Sequence, residues 1–236
     1  MEKSNDKKNK PLIKKLIIKT ELKLLTGLHI GASSESVEIG GIDNPVVKIA
    51  TKNNEPYIPG SSLKGKIRSL LEQVRGSDLG GADDVNQLFG YSESKIPTRL
   101  IVRDAYIKKN DKGDIDSEQY KKAVDLGKLD MPYTEAKWEN VIDRIKGTAE
   151  HPRQMERVPA GATFSVQFVI NVFEDKEAEK DLALLKEGIE ILENDYLGGS
   201  GTRGYGWVKF GELPEKLDDF KEEGNFIVIN FSNNNN

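Results

Sequence analysis

The chain has 236 residues, no cysteine and two histidines, and its 35 basic and 39 acidic residues give a net charge of −4. This length suits one large domain. The lack of cysteine excludes disulfides, zinc–thiolate sites, iron–sulfur clusters and thiol nucleophiles. No apolar run approaches the ~20 residues that span a bilayer, and the first ten residues lack the apolar segment of a signal peptide. We therefore expect a cytoplasmic protein with no membrane partner.

Charge is distributed unevenly along the chain. Residues 1–75 carry 14 basic and 8 acidic residues, a net +6, whereas residues 174–236 carry 7 and 15, a net −8. Nucleic-acid binding depends on the local field rather than on the total charge. The net acidity therefore does not exclude a nucleic-acid partner, although a Lys-rich tail and an acidic surface helix would give the same totals.

The first elements follow from periodicity. Residues 1–11 are polar and Lys-rich, which predicts a disordered basic lead-in. Apolar and charged residues alternate over 12–25, which predicts a half-buried strand. Residues 26–56 form a long irregular segment, of the kind that more often carries function than not, and a short extended piece follows at 56–59.

A helix with a clear apolar stripe comes next. We expect Ser61 or Ser62 to cap it and Val74 to end it, because leucine and isoleucine recur at spacings of three and four between them. The later elements are predicted as a helical turn at 85–89, a strand at 99–107, a charged irregular insertion at 108–160, a strand at 163–172, a helix at 177–194, and strands at 207–210 and 226–231.

This order is close to βαββαβ and predicts an α+β fold, a ferredoxin-like or RRM-like sandwich. Residues 12–236 would form one such domain, with a thumb (a β-hairpin or irregular arm) inserted at about 108–160. The insertion is too polar to build a core of its own. The helix-free face of such a sheet often binds nucleic acid, although the fold alone does not establish that use.

The segment 60-GSSLKGKI-67 resembles a phosphate-binding loop in all but its last position. That position requires Ser or Thr to hold Mg²⁺, whereas Ile67 belongs to the apolar stripe of the helix. A nucleoside-triphosphate site is therefore disfavoured. A helix N-terminus with Lys64, Lys66 and Arg68 facing backbone phosphate is the functional interpretation, and a solvated basic face is the structural one.

The segment 198-GGSGTRGYG-206 has five glycines in nine residues, a composition that disfavours regular structure and exposes backbone N–H groups. Arg203 adds a guanidinium donor and Tyr205 a possible stacking face. The segment follows a helix rather than opening one, so it is not a dinucleotide-binding fingerprint. A helix C-cap and tight turn would explain only its first two glycines.

Two residues of the long loop could carry chemistry. Asp43, in 40-GGIDNPVVK-48, is on its own pattern most often a turn residue, but it can also bind a divalent cation or position a nucleophile. His29, in TGLHIG, can act as a general base, bind phosphate or cap the strand.

Taken together, these segments resemble one family. TGLHIGASSES, GGIDNPVVK, YIPGSSLKGKIRSLLE, RLIVRDAYI, the insertion's ENVIDR and HPRQMER, and DYLGGSGTRGYGWVKF occur in that order. They resemble the backbone RAMP subunit of type III-A CRISPR–Cas effector complexes, the third subunit of the Csm set, over about residues 15–210. IPGSSLKGK and the Gly-rich loop indicate only the superfamily, whereas GxIDxPVxK and the insertion pattern narrow it to this subunit.

The resemblance implies a crRNA-binding subunit that stacks into a filament with other copies and with other Csm-type subunits. Each thumb would displace a base pair between guide and single-stranded target RNA, and the subunit would cleave the target there as an endoribonuclease at regular intervals. A divalent metal, most simply Mg²⁺, would be the cofactor. The aspartate of GxIDxPV, here Asp43, would be the catalytic residue and a metal ligand.

Other roles also carry over by position. The residues that would bind guide RNA are His29, Lys64, Lys66, Arg68, Gly199, Ser200, Gly201, Thr202 and Arg203. The residues that match the thumb, and would contact RNA there, are Trp138, Ile142, Arg144, Arg153 and Met155. Two alternatives stay open: a structural RNA-binding RAMP subunit without chemistry, and a stand-alone CRISPR RNA-processing nuclease using His29 without metal.

Overall fold

A computed structural model describes residues 10–32 and 42–231. Most of the predicted lead-in at 1–11, and Gly40 and Gly41 before Asp43, lie outside the described residues. Among the residues described, no helix is both long and apolar enough to cross a bilayer.

Ten strands and four α-helices make up the described chain. The strands are β1 (Lys14–Leu24), β2 (Lys48–Ile49), β3 (Glu55–Ile58), β4 (Leu100–Val102), β5 (Ala105–Ile107), β6 (Glu135–Ile142), β7 (Ala149–Arg157), β8 (Thr163–Val172), β9 (Val208–Phe210) and β10 (Phe226–Asn230). The helices are α1 (Gly60–Val74), α2 (Asp83–Phe89), α3 (Glu118–Asp125) and α4 (Asp175–Glu193).

The main sheet is antiparallel and has β1 and β8 at its centre. The outer side of β1 pairs with β10 and then with β9, and the outer side of β8 pairs with β4 and then with β5. When β4/β5 and β9/β10 are each counted as one interrupted strand, the four central positions of the sheet are β9/β10, β1, β8 and β4/β5, and the short strands β3 and β2 extend the sheet beyond β5. This is the arrangement of the ferredoxin-like fold, so the predicted α+β class is confirmed.

The core lies between one face of this sheet and helices α1 and α4. Alternate residues of β1 and β8 are buried on that face, from Leu16 to Leu24 and from Phe164 to Val172. The two helices approach closely at Gly188 of α4, where a Cβ would lie 2.5 Å from Ile67 Cγ2. Glycine at this position therefore sets how closely α4 packs on α1.

The prediction that Ser61 or Ser62 caps α1 is wrong. The helix begins at Gly60 after Pro59, and no side chain of its own first turn caps it. Instead, Asp104 Oδ1 accepts a hydrogen bond from the Gly60 N–H at 2.8 Å. The predicted strand at 99–107 is interrupted at the same place, between β4 and β5. The interruption frees Asp104 from the strand, and its carboxylate reaches the start of the helix.

The insertion at 108–160 contains helix α3 and the antiparallel hairpin β6–β7. Tyr120 of α3 is buried in the main core and donates to the Tyr133 carbonyl oxygen at 2.8 Å. The pairing of β6 with β7 shifts between Glu139 and Val141, opposite His151, whose φ is 52°. A β-bulge therefore separates the outer part of the hairpin from the part that meets the core.

Candidate functional site

The Asp43 loop lies along strand β7. Asp43 is exposed, and its Oδ2 accepts a hydrogen bond from the backbone N–H of Gln154 at 2.8 Å. One residue further along, the Asn44 carbonyl oxygen accepts from the Glu156 N–H at 3.0 Å. These two bonds fix the loop against the base of the hairpin. Among the described residues, none donates a hydrogen bond to Oδ1 of Asp43, so this oxygen can meet a ligand.

A buried carboxylate supports the same loop from below. Glu156 is fully buried, and its Oε2 accepts from the Val46 N–H at 2.9 Å. Its Oε1 pairs with Lys48 Nζ at 2.5 Å and accepts from the Thr134 hydroxyl. A buried charge is tolerated when it is paired and hydrogen-bonded. This network therefore fixes the backbone that follows Asp43.

His29 joins this loop to the Gly-rich loop. Its Nδ1 donates to the Glu156 carbonyl oxygen at 2.7 Å, which assigns the Nδ1-protonated tautomer to the neutral ring and leaves Nε2 free. The His29 carbonyl oxygen accepts from the Gly199 N–H at 2.8 Å. A Cβ on Gly198 would lie 2.3 Å from that oxygen, and Gly198 has φ 77°. Glycine is required there on both grounds.

The Gly-rich loop is more regular than its composition predicts. Ser200 adopts a left-handed conformation, and Gly201–Arg203 form one turn of 3₁₀ helix. Within the described residues, the N–H groups of Ser200, Gly201 and Thr202 donate to no acceptor. Three adjacent free donors suit a phosphate oxygen. Tyr205, in contrast, is 1% exposed beneath the charged groups of Lys137 and Arg157, so the prediction of a stacking face there is wrong.

The three cations of α1 make different contacts. Lys64 Nζ donates to Thr98 Oγ1 and to the Leu100 carbonyl oxygen, and burial, with the nearby charge of Arg68, lowers its pKa. Lys66 Nζ lies 2.7 Å from Asp195 Oδ2. Arg68 pairs with Glu72 and donates to the Gly90 carbonyl oxygen and to Asn86, on the side of α2.

Arg203 connects the Gly-rich loop to the hairpin. Its Nη1 donates to Glu139 Oε2 at 2.5 Å, across 64 residues of sequence. Burial is the largest single effect and raises the pKa of Glu139, but the hydrogen bond and charge of Arg203, together with Tyr205 and the charge of Lys137, bring the pKa below its ordinary value. Arg153 Nη2 lies 3.8 Å from the same oxygen. The predicted guide-binding arginine and the thumb are thus held together by one carboxylate.

The predicted thumb residues divide by exposure. Trp138 and Ile142 are 61% and 62% exposed, and the Arg144 and Arg153 side chains also face solvent. Met155 is 7% exposed. That burial removes its side chain from RNA contact in this conformation.

The two central strands carry no aromatic platform on the sheet face away from α1 and α4. On that face β1 and β8 present residues such as Lys19, Ser165 and Gln167, and neither strand places an aromatic side chain there. RRM-type recognition stacks bases on aromatic residues of the central strands. The two central strands therefore do not offer that mode of binding, although Tyr106 of β5 is exposed beside Ser165 on the same face.

The structure brings several predicted residues together through others that the sequence did not single out. Glu156 joins the Asp43 loop to His29, and the His29 backbone joins both to the Gly-rich loop. Arg68 lies apart, against α2. The residues missed are Gln154, Glu156, Lys48, Thr134 and Glu139. Four of them stand in GxIDxPVxK, WENVIDR or HPRQMER, so the motifs contained them, but only the folded chain shows what they contact.

Asp43 is the predicted metal ligand of this site. Among the described residues, no group of three or more His, Asp and Glu side chains is placed to hold a metal ion. One carboxylate is nevertheless sufficient for Mg²⁺ when substrate phosphates and water complete the octahedron. The residues present fit an ion shared with RNA and do not form a closed protein site.

Comparisons with known proteins agree on one family. The RAMP superfamily matches residues 21–209. The "CRISPR system Cms endoribonuclease Csm3" of Methanocaldococcus jannaschii is 42% identical over 216 residues, which cover 84% of this chain and 79% of that protein. The protein of the same name from Streptococcus thermophilus is 41% identical over 223 residues, covering 91% and 93%.

A solved structure supports the fold. A chain of the "Cryo-EM structure of the Type III-B Cmr-beta bound to cognate target RNA" matches with a TM-score of 0.60 at 16% identity, covering 92% of this chain and 61% of that one. At this identity the likeness shows the fold alone.

Proposed function

The chain belongs to the RAMP superfamily and, within it, to the Csm3 endoribonucleases, and on that premise we propose that it is the crRNA-binding backbone subunit of a type III-A CRISPR effector complex. In that complex it stacks with other copies along the guide and cleaves the paired target RNA. Guide RNA, target RNA and the other Csm-type subunits are its partners.

The observation that carries the catalytic assignment is the position of Asp43. Its carboxylate is exposed, one oxygen is held by the Gln154 N–H, and its loop is anchored at the base of the hairpin. A target nucleotide unstacked beside that hairpin has a 2′-hydroxyl that can align with its own phosphate. Asp43 would then orient this hydroxyl, a contribution of the kind that positioning makes to catalysis.

The chemistry is an internal transesterification. The 2′-oxygen attacks the adjacent phosphorus as its proton leaves, and the bond to the 5′-oxygen of the next nucleotide breaks as that oxygen takes up a proton. The products are a 2′,3′-cyclic phosphate and a 5′-hydroxyl. A Mg²⁺ ion held by Asp43 and RNA oxygens would stabilise the charge on the phosphoryl group.

Guide binding is assigned to a different surface of the same site. The free N–H groups of Ser200, Gly201 and Thr202 and the Lys66 ammonium would meet the phosphate backbone, and His29, whose carbonyl oxygen accepts from the Gly199 N–H, would hold the Gly-rich loop in place. Such contacts are independent of base sequence. They weaken as the salt concentration rises, because releasing counterions from the RNA is then less favourable. The subunit can therefore hold any guide while cleavage depends on Asp43.

The test is a cleavage assay on the assembled complex with labelled target RNA, with Mg²⁺ or EDTA. Asp43→Ala should lower cleavage by about 10²- to 10³-fold, in the range of losing one group that stabilises the transition state, and should leave guide and target binding unchanged. Asp111→Ala, which removes an exposed carboxylate from a turn of the insertion, is the matched control and should cleave normally.

Each result separates the alternatives. Equal loss of binding and cleavage in Asp43→Ala would make Asp43 structural. Full activity in EDTA would remove the metal and favour a general base such as His29. Absence of cleavage by the wild-type complex would leave a structural RNA-binding subunit.

A further inference from the structure

We propose that Tyr196 is the positioning residue of the guide-phosphate site, because its ring holds both the Lys66 ammonium and the Gly201 backbone. The inference rests on the proposed function, since it takes the Gly-rich loop as the phosphate-binding element. It adds a residue that contacts no RNA itself and acts through two neighbours.

The first contact is with the loop. A Cβ built on Gly201 would lie 1.9 Å from Tyr196 Cγ, so no residue other than glycine fits against the ring. Gly201 opens the 3₁₀ turn and carries one of the three free N–H groups. The ring therefore fixes the position of the donor group that would meet phosphate.

The second contact is with helix α1. Lys66 Nζ lies 3.8 Å from the centroid of the Tyr196 ring, within the range of a cation–π interaction. Asp195 Oδ2 forms an ion pair with the same nitrogen at 2.7 Å. An ammonium has three donors, and with the Lys66 side chain 20% exposed a phosphate can still reach it.

Together the two contacts place a cation and a row of N–H donors on one aromatic ring. Lys66 and Gly201 belong to separate elements, α1 and the loop after α4, and the ring connects them. A phosphate bound by the N–H groups would then lie close enough to Lys66 to feel its charge. Without the ring, a flexible lysine and a glycine-rich turn would each have to be ordered when RNA binds.

The experiment measures binding of a fluorescein-labelled single-stranded RNA to the full-length chain by anisotropy over a series of salt concentrations. Tyr196→Phe keeps the ring and should bind as the wild type does. Tyr196→Leu keeps apolar volume but loses the π face, and should bind about two- to fivefold more weakly, as expected for an exposed cation–π contact. The slope of log affinity against log salt concentration should also become shallower, by an amount that corresponds to the loss of up to about one phosphate contact.

A double-mutant cycle separates positioning from general packing. If Tyr196 acts through Lys66, Tyr196→Leu should change the salt slope in the wild type but not in a Lys66→Met background. Additive changes in both backgrounds would overturn the inference. Should Tyr196→Leu lower the unfolding temperature, Gly201→Ala, which forces a methyl group into the same ring, should reproduce the loss, and wild-type binding by that variant would also overturn it.

Failure of this inference and failure of the proposed function give different results. Wild-type binding by Tyr196→Leu, with RNA bound and cleaved normally, would refute the role of Tyr196 only. Absence of RNA binding by the wild-type chain and by its assembled complex would refute the proposed function.

Discussion

Most of the predicted guide-binding cations are already paired with carboxylates of this chain. The pairs are Lys66 with Asp195, Arg68 with Glu72, and Arg203 with Glu139. A phosphate that binds one of these cations must therefore share it with a carboxylate of the protein that stays in place. On the proposed function, this arrangement would keep the affinity of any one copy for RNA modest, and a long guide would be held by many copies together.

Removing one of these acids should strengthen RNA binding. Glu139→Gln keeps the shape of the side chain but not its charge, which releases Arg203. RNA affinity should rise about two- to fivefold, and the salt dependence should steepen by about one phosphate contact. Anisotropy titrations at several salt concentrations measure both quantities.

Glu222→Gln is the control for that substitution, because it removes the charge of an exposed glutamate in the acidic C-terminal region. It should leave the affinity unchanged. An unchanged salt slope in Glu139→Gln would mean that Arg203 does not meet phosphate.

At the scale of elements, the helices α1 and α4 each contain a glycine, and the two glycines have opposite surroundings. Gly188→Ala places a Cβ 2.5 Å from Ile67 Cγ2, and overpacking should lower the free energy of unfolding by about 1–3 kcal/mol. Gly65→Ala, in α1, meets nothing within 4 Å and should raise it by about 0.5–1 kcal/mol. Urea denaturation followed by circular dichroism measures both. Stabilisation by both variants would show that the helices can move apart without loss.

The main elements could be predicted because their signals are local. Alternation in β1 and β8, and the apolar stripe of α1, are set by burial against one shared core. The cap of α1 could not be predicted, because its acceptor, Asp104, stands 44 residues away from Gly60. The same holds for the site. Asp43 and the Gly-rich loop stand out in the sequence, whereas the link from Glu156 to Val46 spans 110 residues and exists only in the folded chain.

At the scale of the whole molecule, the β6–β7 hairpin is a separate two-stranded sheet carried on the ferredoxin-like core. Its outer half is solvent-exposed, with Ile145 at its turn 96% exposed. Among residues 10–32 and 42–231, only the inner half of the hairpin, from Glu139 and Arg153 inward, contacts the Asp43 loop and the Gly-rich loop. The outer half is therefore free to act on a ligand without supporting the fold.

Replacing the turn at residues 143–148 with Asn-Gly should test this separation. The new turn suits a two-residue hairpin loop and joins Ile142 to Ala149, which already face each other. The thermal unfolding midpoint should stay within about 2 °C of the wild type, since no core contact is lost, while target cleavage by the assembled complex should fall. A large drop in the midpoint would instead make the turn part of the fold.

The hydrogen bond from Gln154 to Asp43 determines which substitutions residue 154 can accept. The donor is a main-chain N–H, which every amino acid except proline provides. Residue 154 can therefore exchange its side chain without disturbing the carboxylate opposite it. The proposed catalytic carboxylate thus needs one specified side chain where a side-chain anchor would need two, and this anchor tolerates substitution at residue 154. Gln154→Pro is the single substitution at that position that would remove the donor.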